Sequence, residues 1–377
     1  MKKTVCIILA VLMTAVLMSG CSANENASPE DSETITITDH NGNVVTLPKK
    51  IDRIAVCNVF PLPSVLAVFF GSADKIVAMA PTSMAAAENG LLSELYPEIL
   101  NADTSAISGA DVNVEELMKS DPQVVFYSAD SVQLGETLTK AGFNAVAISA
   151  DKWDYDAIET LNQWLILLSV IFPEEANNRA ELVRKYSEES MALVEERTKD
   201  ITSEEKARVF FLFQYNDDSI ITSGQRFFGQ WWADSIAAEN VANELTQNNS
   251  VKVTMEQVYA WNPNRILITN FNPSVPEDLY NNTVGNYDWS GIDAVQNQKV
   301  YKMPLGMYRS YTAGVDTPIT LLWLAKTVYP EKFEDVDITE KTIEYYNDVF
   351  GITLTKEQAE SIFAPSTNAG VTDYIGG

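Results

Sequence analysis

At 377 residues, with 46% hydrophobic and 10% aromatic residues, the chain is too long for one ordinary core and has the composition of a globular protein of two usual-sized domains. Its 26 basic and 52 acidic residues give a formal charge of −26, which disfavours nucleic acid and anionic lipid headgroups and suits a basic partner surface, although acidity also confers solubility. His40 is the only histidine, so sites assembled from several His or Cys ligands for zinc, manganese or haem iron are excluded.

Lys2 and Lys3 precede the apolar run Val5 to Leu17, which is too short for a stable membrane anchor and has the form of a secretory signal. The run ends in Leu17-Met18-Ser19-Gly20-Cys21. These residues resemble the lipobox of bacterial lipoproteins, with Met18 where leucine is usual. That resemblance implies a leader over 1–20, acylation (palmitate) of Cys21 and membrane attachment through that lipid. A plain signal peptide with an incidental cysteine is the alternative. Residues 21–33 are polar and acidic without an apolar period and are expected to be a flexible tether. Loss of the two lysines would take the charge to −28 and leave Cys57 as the one free thiol, with no intrachain disulfide.

Thr34 to Thr38, the Asn41-Gly42 turn and Val44 to Leu47 predict a hairpin, which Pro48 ends. Short apolar runs then alternate with helical stretches: Arg53 to Cys57, Lys75 to Met79, Gln123 to Tyr127 and Asn144 to Ile148, followed by an amphipathic helix over Tyr155 to Phe172. The alternation restarts with Arg208 to Phe213, Ser219 to Thr222, Arg265 to Thr269 and Lys299 to Met303. Between the two series, residues 173–200 carry Ala176, Ala180, Val183, Ser187, Ser190 and Val194 at steps of four and three, one narrow stripe on a helix of about 40 Å. The expected fold is α/β: lobes over 34–172 and 201–377, each with a mostly parallel sheet flanked by helices, joined by the bridging helix 173–200. A coiled-coil segment is the alternative for that helix.

The two series echo each other. Asn113-Val114-Glu115-Glu116-Leu117 followed by Asp121-Pro122 has a counterpart 141 residues on, in Thr254-Met255-Glu256-Gln257-Val258 followed by Asn262-Pro263. Asn113 with Glu116, and Thr254 with Gln257, fit the capping-box spacing, which leaves Glu115 and Glu256 at helix N-termini, free to face outward. Chance likeness of helix-to-strand connections, and a role as simple first-turn acids, are the alternatives.

Ile37-Thr38-Asp39 to Leu47-Pro48 with Arg53-Ile54, Val114-Glu115 to Asp121-Pro122, Met255-Glu256 to Asn262-Pro263, Val300-Tyr301, and Leu321-Leu322-Trp323-Leu324-Ala325 with Tyr329-Pro330 resemble the substrate-binding lipoproteins of ABC importers for ferric siderophores, haem and corrinoids. The resemblance covers nearly all of the mature chain. It implies two α/β lobes on one rigid helix, a ligand held between them in loops at the carboxyl ends of the strands, and Glu115 and Glu256 pairing with arginines of a permease dimer that works with its ATPase. The cleft loops counted from the strands are Asn58 to Ser64, Pro81 to Ala87, Ser128 to Ser131, Tyr215 to Asp217, Ser223 to Trp232, Asn270 to Pro273 and Gly306 to Tyr311. Phe60, Met84, Tyr215, Arg226, Phe228, Trp231, Trp232, Tyr308, Arg309 and Tyr311 are the expected ligand residues: arginines for an anionic chelate, aromatics for planar catechol or macrocycle faces, with half of the aromatics equally suited to core.

The resulting expectation is a non-catalytic, monomeric, lipid-anchored capture protein for a ferric siderophore or similar metal chelate, facing outside the cytoplasm, with no resident cofactor or metal. A corrinoid, haem or a molybdate-type oxyanion is the alternative cargo. A cofactor-handling enzyme on the same scaffold is the alternative class. Neither a Gly-x-Ser-x-Gly motif nor a phosphate loop occurs to support it.

Overall fold

The computed structural model describes residues 33–176 and 178–370, and the fold below is that of the unit beginning at Thr34. The leader, Cys21 and nearly all of the tether lie outside the described residues.

Every apolar run predicted as a strand forms one. Ile76–Met79, Ile54–Val56, Val124–Ser128 and Ala145–Ile148 make a four-stranded parallel sheet in that order. Thr34–Thr38 and Val44–Pro48 pair as the expected antiparallel hairpin. Its turn is fixed by Asp39, whose buried carboxylate accepts from the backbone amides of Asn41, Asn43 and Ala147 at 2.8 to 3.0 Å and so ties the hairpin to strand Ala145–Ile148.

The second sheet runs Ser250–Val253, Ser219–Ser223, Arg208–Asn216, Arg265–Ile268, Val300–Lys302, with Glu239–Asn240 alongside the start of Arg208–Asn216. The last three of that series are parallel, but Ser219–Ser223 is antiparallel to both its neighbours, so this sheet is mixed. The two-residue connection Asp217-Asp218 cannot span a parallel crossover. It makes a hairpin, in which Asn216 Oδ1 accepts from Asp218 N and Ser219 Oγ at 2.9 Å.

Side chains alternate between layers. Ile54, Val56, Val124, Phe126, Val209, Phe211 and Leu267 face one shared core that continues from sheet to sheet through the helices between them. Ala55, Cys57, Val125 and Tyr127 face a second core outside the first sheet, and Phe210, Leu212, Ile266 and Ile268 face a third outside the other.

The bridging helix runs Arg179–Thr198, shorter than the span 173–200 suggests, because Pro173 to Glu175 form a turn and Glu175 pairs with Lys75 at 2.9 Å. Val183, Ser187, Ser190, Val194 and Thr198 are its buried stripe. Ser187 and Thr198 satisfy their hydroxyls on the carbonyls four residues back, which allows close packing without a lost hydrogen bond. Each end is pinned. Arg179 donates to the carbonyls of Val68 and Phe69, the C-terminal end of helix Leu62–Phe70, and Arg197 forks onto Asp335 at 2.6 and 2.9 Å while donating to Lys332 O.

The chain after helix Lys356–Ile362 returns to the first half. Gln358 donates to Glu94 at 2.7 Å, Ser366 to Asn89, and Thr367–Gly370 lies against helix Pro81–Asn89.

Candidate functional site

The segments that follow the strands of the two sheets meet at two edges. At one edge Leu91 N donates to Gly306 O at 3.0 Å, and Arg309 reaches across to Thr82. At the other, the Tyr155 hydroxyl donates to Asn248 Oδ1 and Asn249 Oδ1 at 3.2 and 2.8 Å.

Arg309 is only 1% exposed. Its Nε donates to Asn270 O at 2.8 Å, Nη1 to Thr82 O and the Tyr308 hydroxyl at 2.9 Å, and Nη2 to Ala369 O at 2.5 Å. Its carbon Cζ lies 4.9 Å from the centre of the Phe271 ring and 5.2 Å from that of Tyr308. All of these partners are neutral, and no carboxylate pairs with Arg309 among the described residues. Lys302, half-buried at the end of strand Val300–Lys302, is the other basic residue near it. Lys302 Nζ donates to the carbonyls of Thr269, Asn272 and Ser274 at 2.7 to 2.9 Å, and desolvation, then Arg309, holds its pKa down to about 7. Beside Arg309 the buried Asn270 Oδ1 and Ser310 Oγ have no hydrogen-bond partner among the described residues. Arg309 therefore places buried positive charge beside two polar side-chain atoms still able to bond.

Asp316 sets this loop. Its carboxylate accepts from Met307 N at 2.8 Å and from the Tyr346 hydroxyl, and a Cβ on Gly306 would sit 2.5 Å from its Oδ1. Burial pushes its pKa up to about 6.

A row of rings joins the two edges. Tyr155 meets Phe227 at 5.4 Å, Phe227 meets Phe213 at 5.2 Å, Phe213 meets Phe271 at 4.9 Å, and Phe271 meets Tyr308 at 6.3 Å. Of these five rings only Tyr308 is an expected ligand residue, although Phe227 and Phe271 lie in loops expected to line the cleft. Phe213 lies on the same face as Val209 and Phe211, and a bulge falls there: Thr222 pairs with Leu212 and Ile221 with Gln214, so Phe213 is the extra residue. The same bulge reverses the alternation beyond it, and Tyr215 falls into the outer core, its hydroxyl donating to Val284 O and accepting from Trp289 Nε1.

Of the other expected ligand residues, Phe228, Trp232 and Tyr311 are core: Trp232 Nε1 donates to Tyr311 O, and the Tyr311 hydroxyl accepts from Gly229 N. They support the ring row from behind. Phe60 and Met84 are half-buried, and Ser83 Oγ bonds Phe60 O at 2.7 Å, joining their loops. Trp231 is half-buried, its side chain reaching the Asp156 carboxylate, and Arg226 is exposed near Tyr155. Among the described residues no group of three or more His, Cys, Asp or Glu side chains could hold a metal ion.

The echoed segments are also built alike. Helices Val114–Lys119 and Met255–Trp261 have side-chain caps from Asn113 and Thr254, bury Leu117 and Val258 fully, and are followed by left-handed Asp121 (φ 44°) and Asn262 (φ 41°). Arg53 donates to Asp121 O and Arg208 to Asn262 O, while the amide side chains of Gln123 and Asn264 accept from the backbone N of those same arginines at 3.1 and 2.9 Å. The capping box forms at Thr254 with Gln257; Glu116 instead pairs with Lys119. Glu115 and Glu256 are exposed.

Two α/β halves on one helix, bridged at the ends of their strands, describe a solute-binding protein. The chain belongs to the periplasmic binding protein family, whose sequence profile matches residues 54–305. The molybdate-binding protein MolA of Haemophilus influenzae is 26% identical over 373 residues, covering 93% of this chain and 99% of MolA. A periplasmic solute binding protein from Veillonella parvula superposes with a TM-score of 0.74 at 28% identity, over 88% of this chain and 97% of that one. The structure of MolA bound to molybdate gives a TM-score of 0.70 at 24% identity, over 85% of this chain and 99% of MolA.

Proposed function

We propose that this protein captures a small oxyanion of the molybdate type between its halves, outside the cytoplasm, and delivers it to an ABC permease without catalysing a reaction. The observation that carries this reading is Arg309, a buried guanidinium in the cleft edge bonded only to neutral oxygens. A buried cation is costly without a counter-charge, and an anion in reach of Arg309 and the Ser310 hydroxyl would offset that cost. The likeness to MolA supports the same cargo. An anionic ferric chelate is the second reading, favoured by the half-buried rings of Phe213, Phe227 and Phe271 and by the exposed Arg226 at the other edge.

In this reading Cys21 carries the lipid anchor, 34–172 and 201–377 are the lobes, and Glu115 and Glu256 dock on the permease. Charge reversal of both glutamates to lysine is expected to abolish uptake in cells and leave solute affinity unchanged. The cargo is tested by melting-temperature shift and tryptophan-fluorescence titration with molybdate, tungstate, sulfate, a ferric catecholate, a ferric hydroxamate, haem and cobalamin. Molybdate or tungstate is expected to bind tightest, with Arg309→Lys weakening it about ten- to a hundredfold, since a charge-assisted contact is worth roughly 1.5–3 kcal/mol. A tightest ligand without charge would exclude both readings.

A further inference from the structure

The echoed helices share more than their glutamates. Met118 is 48% exposed and Tyr259 41% exposed, both among the largest apolar groups at the surface, and they too stand 141 residues apart. Each lies three residues after a glutamate, hence on the same helix face, so Glu115 with Met118 and Glu256 with Tyr259 form two patches of one composition. Neither glutamate enters an ion pair among the described residues. Glu256 is held ionised below the usual carboxylate range by its own backbone amide and the Thr254 hydroxyl. The Tyr259 hydroxyl donates to Asp288 O, which fixes its ring at the surface.

Leu117 and Val258, between the patch residues, are buried anchors, so each patch is the outer face of a helix whose inner face is locked. Arg53 and Arg208 hold the C-terminal ends of these helices by the same bonds to the carbonyls of Asp121 and Asn262. One surface arrangement thus occurs twice, on separate halves, together with its scaffolding.

We infer that Met118 and Tyr259 are the apolar halves of two equivalent docking patches, each taking a cation flanked by a shallow apolar socket on a partner that presents that surface in two copies. The inference rests on the docking reading of Glu115 and Glu256 and adds a division of labour. The carboxylates steer the approach through their charge, and the thioether and phenol ring, once desolvated, set the lifetime of the complex. Arg53 and Arg208 act as positioning residues, through their bonds to the ends of these helices.

The test is surface plasmon resonance of the full-length protein against the host's ABC permease with its ATPase in lipid nanodiscs, at low and high salt. Met118→Ser and Tyr259→Ser are expected to dissociate about tenfold faster, with little dependence on salt, whereas Met118→Leu and Tyr259→Phe stay within about twofold of the unaltered protein. The double reversal Glu115→Lys with Glu256→Lys is expected to slow association in a salt-dependent way. Unchanged melting temperatures keep the serine variants interpretable. If the serine variants dissociate like the unaltered protein while the double reversal is defective, the apolar role is wrong and the carboxylate reading stands. If the double reversal also binds normally, docking lies elsewhere and both fall.

Discussion

Arg309 spans the cleft to Thr82, its Nη1 donating to the carbonyl at 2.9 Å and to the hydroxyl at 3.2 Å. A residue expected to wait for ligand at a loop is instead a buried clasp between the halves, and its remaining donors collect the ends of two other segments, at Asn270 and Ala369. The joining of the halves therefore depends on the same guanidinium that the proposed function assigns to solute.

Arg309→Met should be strongly destabilising, because it leaves the carbonyls of Thr82, Asn270 and Ala369 buried without a donor, at a cost on the order of 1–3 kcal/mol each. Thr82→Val removes only the longer contact to the hydroxyl and should cost about 1 kcal/mol or less. Urea unfolding of the two variants checks the ordering. Equal losses would show that the carbonyl contact contributes nothing.

His40 and Asp316 should impose opposite pH dependences. His40 Nδ1 accepts from Ser149 N at 3.0 Å, and desolvation, then Lys152, lowers its pKa from 6.5 to about 4. Its contribution is complete above pH 6.5 and is lost as pH falls toward 4. Asp316, raised by burial from 3.8 to about 6, contributes below pH 3.8 and loses that contribution as pH rises through 6. Relative to the unaltered protein, Asp316→Asn should gain up to roughly 3 kcal/mol between pH 4 and 7, and His40→Gln should lose a similar amount. Unfolding free energies across that range, for the three proteins side by side, are the measurement.

Cys57 should be inert in the native protein. Its thiol is fully buried in the core outside the first sheet, and burial alone pushes its pKa up to about 12. A disulfide reagent at pH 8 is expected to label it only after denaturant is added; rapid labelling of the native protein would mean that the first sheet opens readily.

The halves should move little on binding solute. The bridging helix is pinned at Arg179 and Arg197, and one core is continuous from sheet to sheet, so a large rotation would have to break those contacts. Small-angle scattering with and without saturating ligand should show no measurable compaction. Arg197→Met, which releases the fork onto Asp335, is the variant in which motion should first appear.

The order of strands and helices, the hairpin at Asn41-Gly42 and the echo between Glu115 and Glu256 were legible in the sequence, because each rests on local chemistry: an apolar run long enough for a strand, a turn residue, a cap. The bridging helix was legible by its stripe, while its start was not, since Pro173 with Glu174 and Glu175 suits a first turn as well as the loop that Lys75 draws aside. What only the tertiary structure decided was which aromatic faces the cleft. Strand Arg208–Asn216 is covered on both sides, so its run of apolar residues has no polar alternate to mark a face, and one bulge at Phe213 sends Tyr215 to the face opposite Phe213, although unbroken alternation would put both on one side. Arg309 likewise has no sequence signal for burial. Its partners Thr82, Asn270 and Ala369 are far away along the chain, and only the meeting of the two halves with the returning C-terminal segment supplies the oxygens that let a guanidinium leave water.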